Sequence, residues 1–373
     1  WICFLPWSFT VIIHENKIYR FTIPFTKQVK VGEHILNKRE GLILELNAED
    51  GHVGYGEISP LPGRHSESLV DVYGQLMGLE FNNLELKGLA EIEVELTWLN
   101  QLHPSIRFGI ESCCLNLLAK EIGKPPAMIL TNSPSQSIGI NGLFSGRVKD
   151  AEECIESKKF KKYPALKIKV GQNSTDEDIT IIKLFRREFG RNKKIHLDGN
   201  RKFGLAKAVK FIKKIEGLGI EYFEEPLENP EENEKLFHKT RMPIGLDESM
   251  ESDEFMEFWK VPGIKYHIIK PSIFGGLMKT LTHAKEYRNY GIQTVISSTY
   301  DSCVGLYTLS QLAAPVSGDD AVAGFGTDKL LAGHTTVPTF DSSEGKVDIM
   351  NWKYDLNYKN VELVQKLEVG NGV

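Results

Sequence analysis

The stretch that decides the fold runs from residue 165 to residue 247. It contains Ala165-Leu-Lys-Ile-Lys-Val-Gly171, Lys194-Ile-His-Leu-Asp198, Glu221-Tyr-Phe-Glu224 and Pro243-Ile-Gly-Leu-Asp247. Each is a mostly apolar run of strand length that reaches a charged residue. Amphipathic helical patterns, Asp178–Phe189 and Leu205–Glu216, lie between them. The texture continues outward in both directions. Upstream, Ser137–Asn141 precedes the helical pattern Asp150–Lys162. Downstream come Tyr266–Lys270, the helical pattern Leu277–Tyr290, Ile292–Ser297 and Ala321–Gly324. Strand–helix alternation predicts parallel βαβ units. Eight such units close most naturally into a (β/α)8-type barrel, with an open doubly wound sheet as the rival.

A barrel of this type carries its chemistry at the C-terminal ends of its strands. The eight runs end at Asn141, Lys169, Asp198, Glu224, Asp247, Lys270, Ser297 and Gly324, at spacings of 23–29 residues. One marker per unit is the pattern of a single site lined by every strand. Asp198, Glu224 and Asp247 end three consecutive strands, about 4.8 Å apart sheet-wise, so their carboxylates could converge on one ion. An all-oxygen set favours a hard cation, Mg²⁺ above all, with Mn²⁺ as a substitute. Alternation puts Lys167 and Lys169 on one face of their strand, pointing into the barrel, and Leu166, Ile168 and Val170 on the other. Lys270 closes the arc from the far side. A lysine beside a cation and a second ammonium gives up its proton more readily, which suits general-base work. Two such lysines flanking a metal-bound substrate suit proton abstraction next to a carboxylate. Gly275-Gly276 reads either as a tight turn or as a backbone approach to a substrate anion.

The rest of the chain frames this unit. Lys17–Thr26, Gly41–Leu46 and Val53–Glu57 read as strands, with a turn at Asp50-Gly51. A helix over Ile106–Ile122 stops at Gly123, before Pro125-Pro126. These signals divide the chain into residues 1–134, 135–326 and 327–373, with the last segment expected to return to the first. Of 373 residues, 41% are hydrophobic and 25% charged, with a net charge of −5, which is ordinary globular composition. A mildly acidic chain is a poor candidate for nucleic acid or an anionic membrane. The basic run Lys158–Lys162 (KKFKK) reads as the solvated face of a helix. Five cysteines without a C-x-x-C pair read as free thiols in a reducing cytoplasm. Trp1–Ile13 is apolar but lacks a basic start and a cleavage motif, so it reads as a first strand or a start artefact. The expected partner is a small-molecule carboxylate substrate, and the sequence carries no signal for oligomeric state.

At the K-x-K strand, the three acids and Lys270, the chain resembles the enolase superfamily, and within it the muconate cycloisomerase subgroup. Strand seven ends Ile296-Ser-Ser-Thr299 without the His of mandelate racemase-like members. Gly54-Tyr-Gly-Glu-Ile-Ser-Pro-Leu-Pro-Gly63, Asn141-Gly142, Ser297-Ser298 with Ser302 and Gly305, and Gly324-Phe-Gly-Thr327 resemble the o-succinylbenzoate synthase family. The Asp-x-Asp that dipeptide epimerases carry after strand eight is missing, while N-acylamino acid racemases share much of the pattern. The resemblance implies an α/β architecture: a modified (β/α)7β barrel with an α+β cap built from the N-terminal part and the C-terminal tail. It implies dehydration of a cyclohexadiene hydroxy-dicarboxylate to o-succinylbenzoate in menaquinone biosynthesis. In that reaction Lys169 is the base, Lys167 binds the carboxylate and lowers the pKa of Lys169, and Lys270 stabilises the enediolate. Asp198, Glu224 and Asp247 hold Mg²⁺, and Asn200 and Glu248 support those ligands. Asn141, Ser297, Ser298, Gly324, Gly326 and Arg64 are the implied substrate-binding residues.

Overall fold

The computed structural model describes residues 10–81, 83–88, 97–251, 259–316 and 322–368. Residues 1–9, including most of the apolar start and Cys3, lie outside the described residues. Strands β1 (Val11–Val31), β2 (His34–Ala48) and β3 (Val53–Ile58) form an antiparallel meander. Gly51, at φ +87°, makes the turn between β2 and β3. Helices α1 (Leu69–Met77) and α2 (Pro104–Ile122) follow, and α2 ends at Gly123 in the left-handed conformation. The G-x-G in β3 lets α2 approach closely. A Cβ on Gly56 would stand 1.8 Å from the Gly109 carbonyl oxygen.

The barrel comprises β4 (Ser137–Phe144), α3 (Val148–Glu156), β5 (Ala165–Lys169), α4 (Thr175–Phe189), β6 (Lys194–Asp198) and α5 (Leu205–Lys214). It continues with β7 (Ile220–Glu224), α6 (Asn233–Thr240), β8 (Ile244–Leu246), β9 (Ile264–Ile269), α7 (Leu277–Arg288), β10 (Gln293–Ile296), α8 (Cys303–Val316) and β11 (Val322–Ala323). Ala321, assigned to the eighth strand from sequence, is outside the described residues. Each strand pairs in parallel with the next from β4 to β10, and β11 pairs in parallel with β4. A bridge between Ser297 and Gly324 joins the remaining edge. The eighth strand runs into a 3₁₀ turn, Asp328–Leu330, rather than an α-helix. The barrel is therefore of the modified (β/α)7β kind.

The tail returns as expected. Strand β12 (Lys346–Asp348) pairs antiparallel with β4, and β13 (Val361–Glu368) adds to the outer edge of β1. The cap sheet thus contains both ends of the described chain. Leu166, Ile168 and Val170 pack outward with Ile179, Ile182 and Phe185 of α4. This leaves Lys167 and Lys169 for the interior.

One helix ends earlier than its pattern predicts. The stretch Asp150–Lys162 is helical only to Glu156. Lys158 has φ +56°, and Lys158–Lys162 forms turns, so the basic run lies on no helix face. Phe160 sustained the apolar rhythm, but it is buried under β4, where a Cβ on Gly142 would meet its ring at 2.5 Å. The four described cysteines are free thiols. Cys113, Cys114 and Cys303 are buried and Cys154 is half-buried. Among the described residues, no helix is long and apolar enough to cross a membrane.

Candidate functional site

The strand register brings the charged strand ends to one level. Lys169 pairs with Asp198 across β5 and β6, and Asp198 with Glu224 across β6 and β7. Asp198, Glu224 and Asp247 are all buried. Lys167 Nζ lies 2.5 Å from Glu224 Oε1 and 3.4 Å from Asp198 Oδ2. Lys169 Nζ donates to Asn200 Oδ1 at 3.1 Å and stands 3.8 Å from Asp198 Oδ2. Across the row, Lys270 pairs with Asp247. The lysines of β5 and Lys270 therefore flank the carboxylates from opposite sides.

Arg64, from the cap turn, reaches over the barrel mouth. It contacts Asp247 at 3.4 Å, Glu248 at 3.3 Å and Glu251 at 2.5 Å. Asn200 donates to Glu248 Oε1 at 3.2 Å and receives Lys169, so it links two markers the sequence had placed apart. Asn141 is buried at the first strand, and Ser297 and Ser298 are buried at the seventh. Ser297 Oγ donates to the Gly324 carbonyl at 3.3 Å, and Ser298 Oγ lies 2.6 Å from Thr327 Oγ1. No side chain fits at Gly324 or Gly326: a Cβ would meet Ser297 Oγ at 2.5 Å or the Asn141 carbonyl at 2.8 Å.

Electrostatics follow from crowding. Burial pushes the Glu224 carboxyl up to about 8, helped by Asp198 and Asp247 and opposed by Lys167. Burial acts the same way on Asp247, but Lys270 and Arg64 outweigh it and hold that carboxyl well below its usual range. Burial works against charge on Lys167, yet Asp198 and Glu224 keep its pKa well above the ordinary lysine value.

The donor set fits a hard divalent cation. Three buried carboxylates on adjacent strands offer only oxygen, and Glu224 Oε2 is buried with no hydrogen-bond partner among the described residues. A separate trio, Asp50, His52 and Glu121, also brings ligand atoms within 4.8 Å of one another, but it sits on the cap surface at the β2–β3 turn.

Several participants escaped the sequence reading. Glu225 accepts from the backbone N–H of Asp247 and Ser249 at 2.8 and 2.7 Å, and Arg201 binds its other oxygen at 3.0 Å. This fixes the ends of β7 and β8 together. The doubled acid Glu224-Glu225 was the available signal. Tyr300 stands within electrostatic reach of Lys167, Asp198 and Arg64 and has φ +59°. Gly275-Gly276 proves to be a packing feature. A Cβ on Gly276 would meet Glu111 Oε2 at 2.4 Å, and that carboxylate accepts from the N–H groups of Leu277 and Met278. The anion at the start of α7 is the cap helix's own glutamate.

Fold and strand ends define a class: a barrel enzyme that gathers carboxylates and ammonium groups at one mouth. Residues 148–351, more than half of the chain, match the family model described as Enolase C-terminal domain-like, and the chain belongs to that family. Residues 13–117 match the model of the MenC N-terminal domain. An o-succinylbenzoate synthase of Pasteurella multocida is 28% identical over 330 residues, covering 86% of this chain and 91% of that one. The chloroplastic protein PHYLLO of Arabidopsis thaliana is 29% identical over 299 residues, 72% of this chain but 17% of that longer protein. Among solved structures, a dipeptide epimerase from Enterococcus faecalis superposes with a TM-score of 0.79 at 20% identity, covering 94% of this chain and 99% of that one. A muconate lactonizing enzyme from Pseudomonas fluorescens gives 0.79 at 18% identity, covering 94% and 98%. At these identities the structural matches establish the fold.

Proposed function

We propose that the protein is an o-succinylbenzoate synthase, a carbon–oxygen lyase that dehydrates 2-succinyl-6-hydroxy-2,4-cyclohexadiene-1-carboxylate. The observation that carries this reading is the order Lys169, Asp198, Glu224, Asp247, Lys270 across five neighbouring strand ends. The full-length similarity to named synthases supports the choice of substrate.

In this reading Asp198, Glu224 and Asp247 hold Mg²⁺ or Mn²⁺, which when bound supplies positive charge to the substrate carboxylate. Lys169, as the neutral amine, removes the α-proton and becomes the ammonium, with Asn200 holding its Nζ in line. Lys270 lies on the other side of the row and stabilises the negative charge that develops on the carboxylate oxygens. Lys169 then returns its proton to the departing hydroxyl. Lys167 remains charged between Asp198 and Glu224, so it is a fixed cation here rather than a base. Asn141, Ser297, Ser298 and the closely packed backbone at Gly324 and Gly326 line the succinyl side, while Arg64 covers the mouth.

Asp328 supports a synthase over a dipeptide epimerase. It accepts from Ser342 and pairs with Lys329 at 3.3 Å, so it is engaged with the tail. The deciding experiment is formation of o-succinylbenzoate with and without EDTA. Product only without chelator supports the reading; no product with Mg²⁺ present removes it. Racemisation of N-acylamino acids, read as α-hydrogen exchange in D₂O without dehydration, would replace it.

A further inference from the structure

Arg39 is among the largest side chains buried to within 2% of full enclosure, and it sits outside the row of charged strand ends. Its guanidinium spans two elements that border the site. On the cap side it donates to the Pro60 carbonyl at 2.9 Å, to Ser59 Oγ at 2.9 Å and to the Ser59 carbonyl. On the barrel side Nε donates to the Tyr300 carbonyl at 3.2 Å. Ser59 and Pro60 open the turn that delivers Arg64. Tyr300 lies two residues beyond Ser298, and its ring meets Phe25 of the cap edge-on at 5.6 Å.

The Tyr300 backbone is left-handed, a conformation that costs a bulky residue energy and persists only when its surroundings enforce it. The enforcing contacts are specific. Asp301 accepts from the Thr299 N–H at 2.6 Å. Glu57, on β3, accepts from Ser302 N at 3.0 Å, Ser302 Oγ at 2.6 Å and Gly305 N at 2.9 Å. It also receives Ser59 Oγ at 2.6 Å. Glu57 and Asp301 are the buried anions that balance Arg39. The joint has no slack: a Cβ on Gly305 would meet Asp301 at 2.8 Å and Glu57 at 2.9 Å.

We propose that Arg39 is a positioning residue that sets the width of the substrate pocket by tying the cap turn before Arg64 to the Tyr300 backbone. This rests on the synthase reading for the identity of the substrate, but the joint itself does not. Arg39 touches neither the strand-end carboxylates nor the lysines. It acts through the two walls it holds.

The test is Arg39→Lys, which keeps the charge and loses the planar fork, in the full chain. KM for the cyclohexadiene substrate should rise about tenfold with kcat within about threefold, since binding walls are loosened and the reacting groups are not. Without substrate, amide exchange in 59–64 and 299–302 should quicken about tenfold while Pro104–Ile122 is unchanged. Should Arg39→Lys not fold, Ser59→Ala removes one Arg39 acceptor together with the hydroxyl that donates to Glu57, and its exchange should quicken in 299–302, across the joint. Unchanged exchange there in either folded variant overturns the tie. Quickened exchange with unchanged KM overturns the positioning role. A wild-type protein with no synthase turnover would sink the function reading instead and leave the exchange test standing.

Discussion

The Lys167 ammonium stands 2.5 Å from Glu224 Oε1, at the buried centre of the carboxylate row. It is the charge that makes Glu224 and Asp198 tolerable side by side without a bound metal, as Lys270 and Arg64 do for Asp247. Lys167→Met should therefore destabilise the metal-free protein by about 3–5 kcal/mol, because Glu224 and Asp198 lose their buried partner. With millimolar Mg²⁺ the loss should shrink, since binding to the native state adds stability. Urea melts with EDTA and with Mg²⁺ check this; equal losses in the two conditions would contradict it.

Lys169 differs from Lys167 by facing the opening, with Asn200 and Asp198 as its polar partners among the described residues. Lys169→Ala should lower kcat by about 10²–10⁴ while Mg²⁺ affinity and the thermal midpoint stay near wild type. Turnover assays with calorimetric Mg²⁺ titration measure both, and retained turnover would remove Lys169 as the base.

What could be read from the chain, and what could not, has a physical boundary. Lys194–Asp198 was legible to the residue because alternation within one strand is local, and a charge at its inward end breaks a rule that neighbours obey. Lys167, Lys169 and Glu224 lie on their strands in the same way, and Asp247 follows one residue past β8. The Arg39 joint was not legible, because Glu57 and Ser302 are 245 residues apart and neither pattern announces the other. The glycine pair before α7 offered two readings, and only the arrival of Glu111 from the cap decides between them. The helix over Asp150–Lys162 overran because periodicity records burial, and Phe160 is buried from a turn.

That glycine pair yields a stability prediction. Gly276 has φ +102°, outside the range of residues with a Cβ, and the added methyl would collide with Glu111. Gly276→Ala should cost about 2–4 kcal/mol, the sum of backbone strain and a displaced carboxylate that satisfies two N–H groups. Glu111→Gln, which keeps an acceptor oxygen, should cost less. Chemical denaturation of the two variants orders them, and a Gly276→Ala midpoint equal to wild type would refute the packing account.

Asp301 gives the pH dependence of the cap–barrel joint. Burial, with Glu57 adding to it and Arg39 opposing it, pushes this carboxyl up to about 6 from an ordinary 3.8. The folded state therefore holds the proton more tightly than the unfolded chain. Between about pH 4 and pH 6 the native protein binds more protons, so this group's contribution to stability falls as pH rises through that window. The stabilising share is fully present below the unfolded pKa and lost above pH 6, and the shift corresponds to about 3 kcal/mol. Asp301→Asn mimics the protonated form. Its stability relative to wild type should therefore improve by about 1–3 kcal/mol on going from pH 4 to pH 7, partly offset by the charge that Arg39 then lacks. Thermal melts of both proteins across that range measure the difference. A wild-type-minus-variant gap that stays flat, or grows as pH rises from 4 to 7, would show that Asp301 is ionised throughout and that Arg39 carries both anions equally.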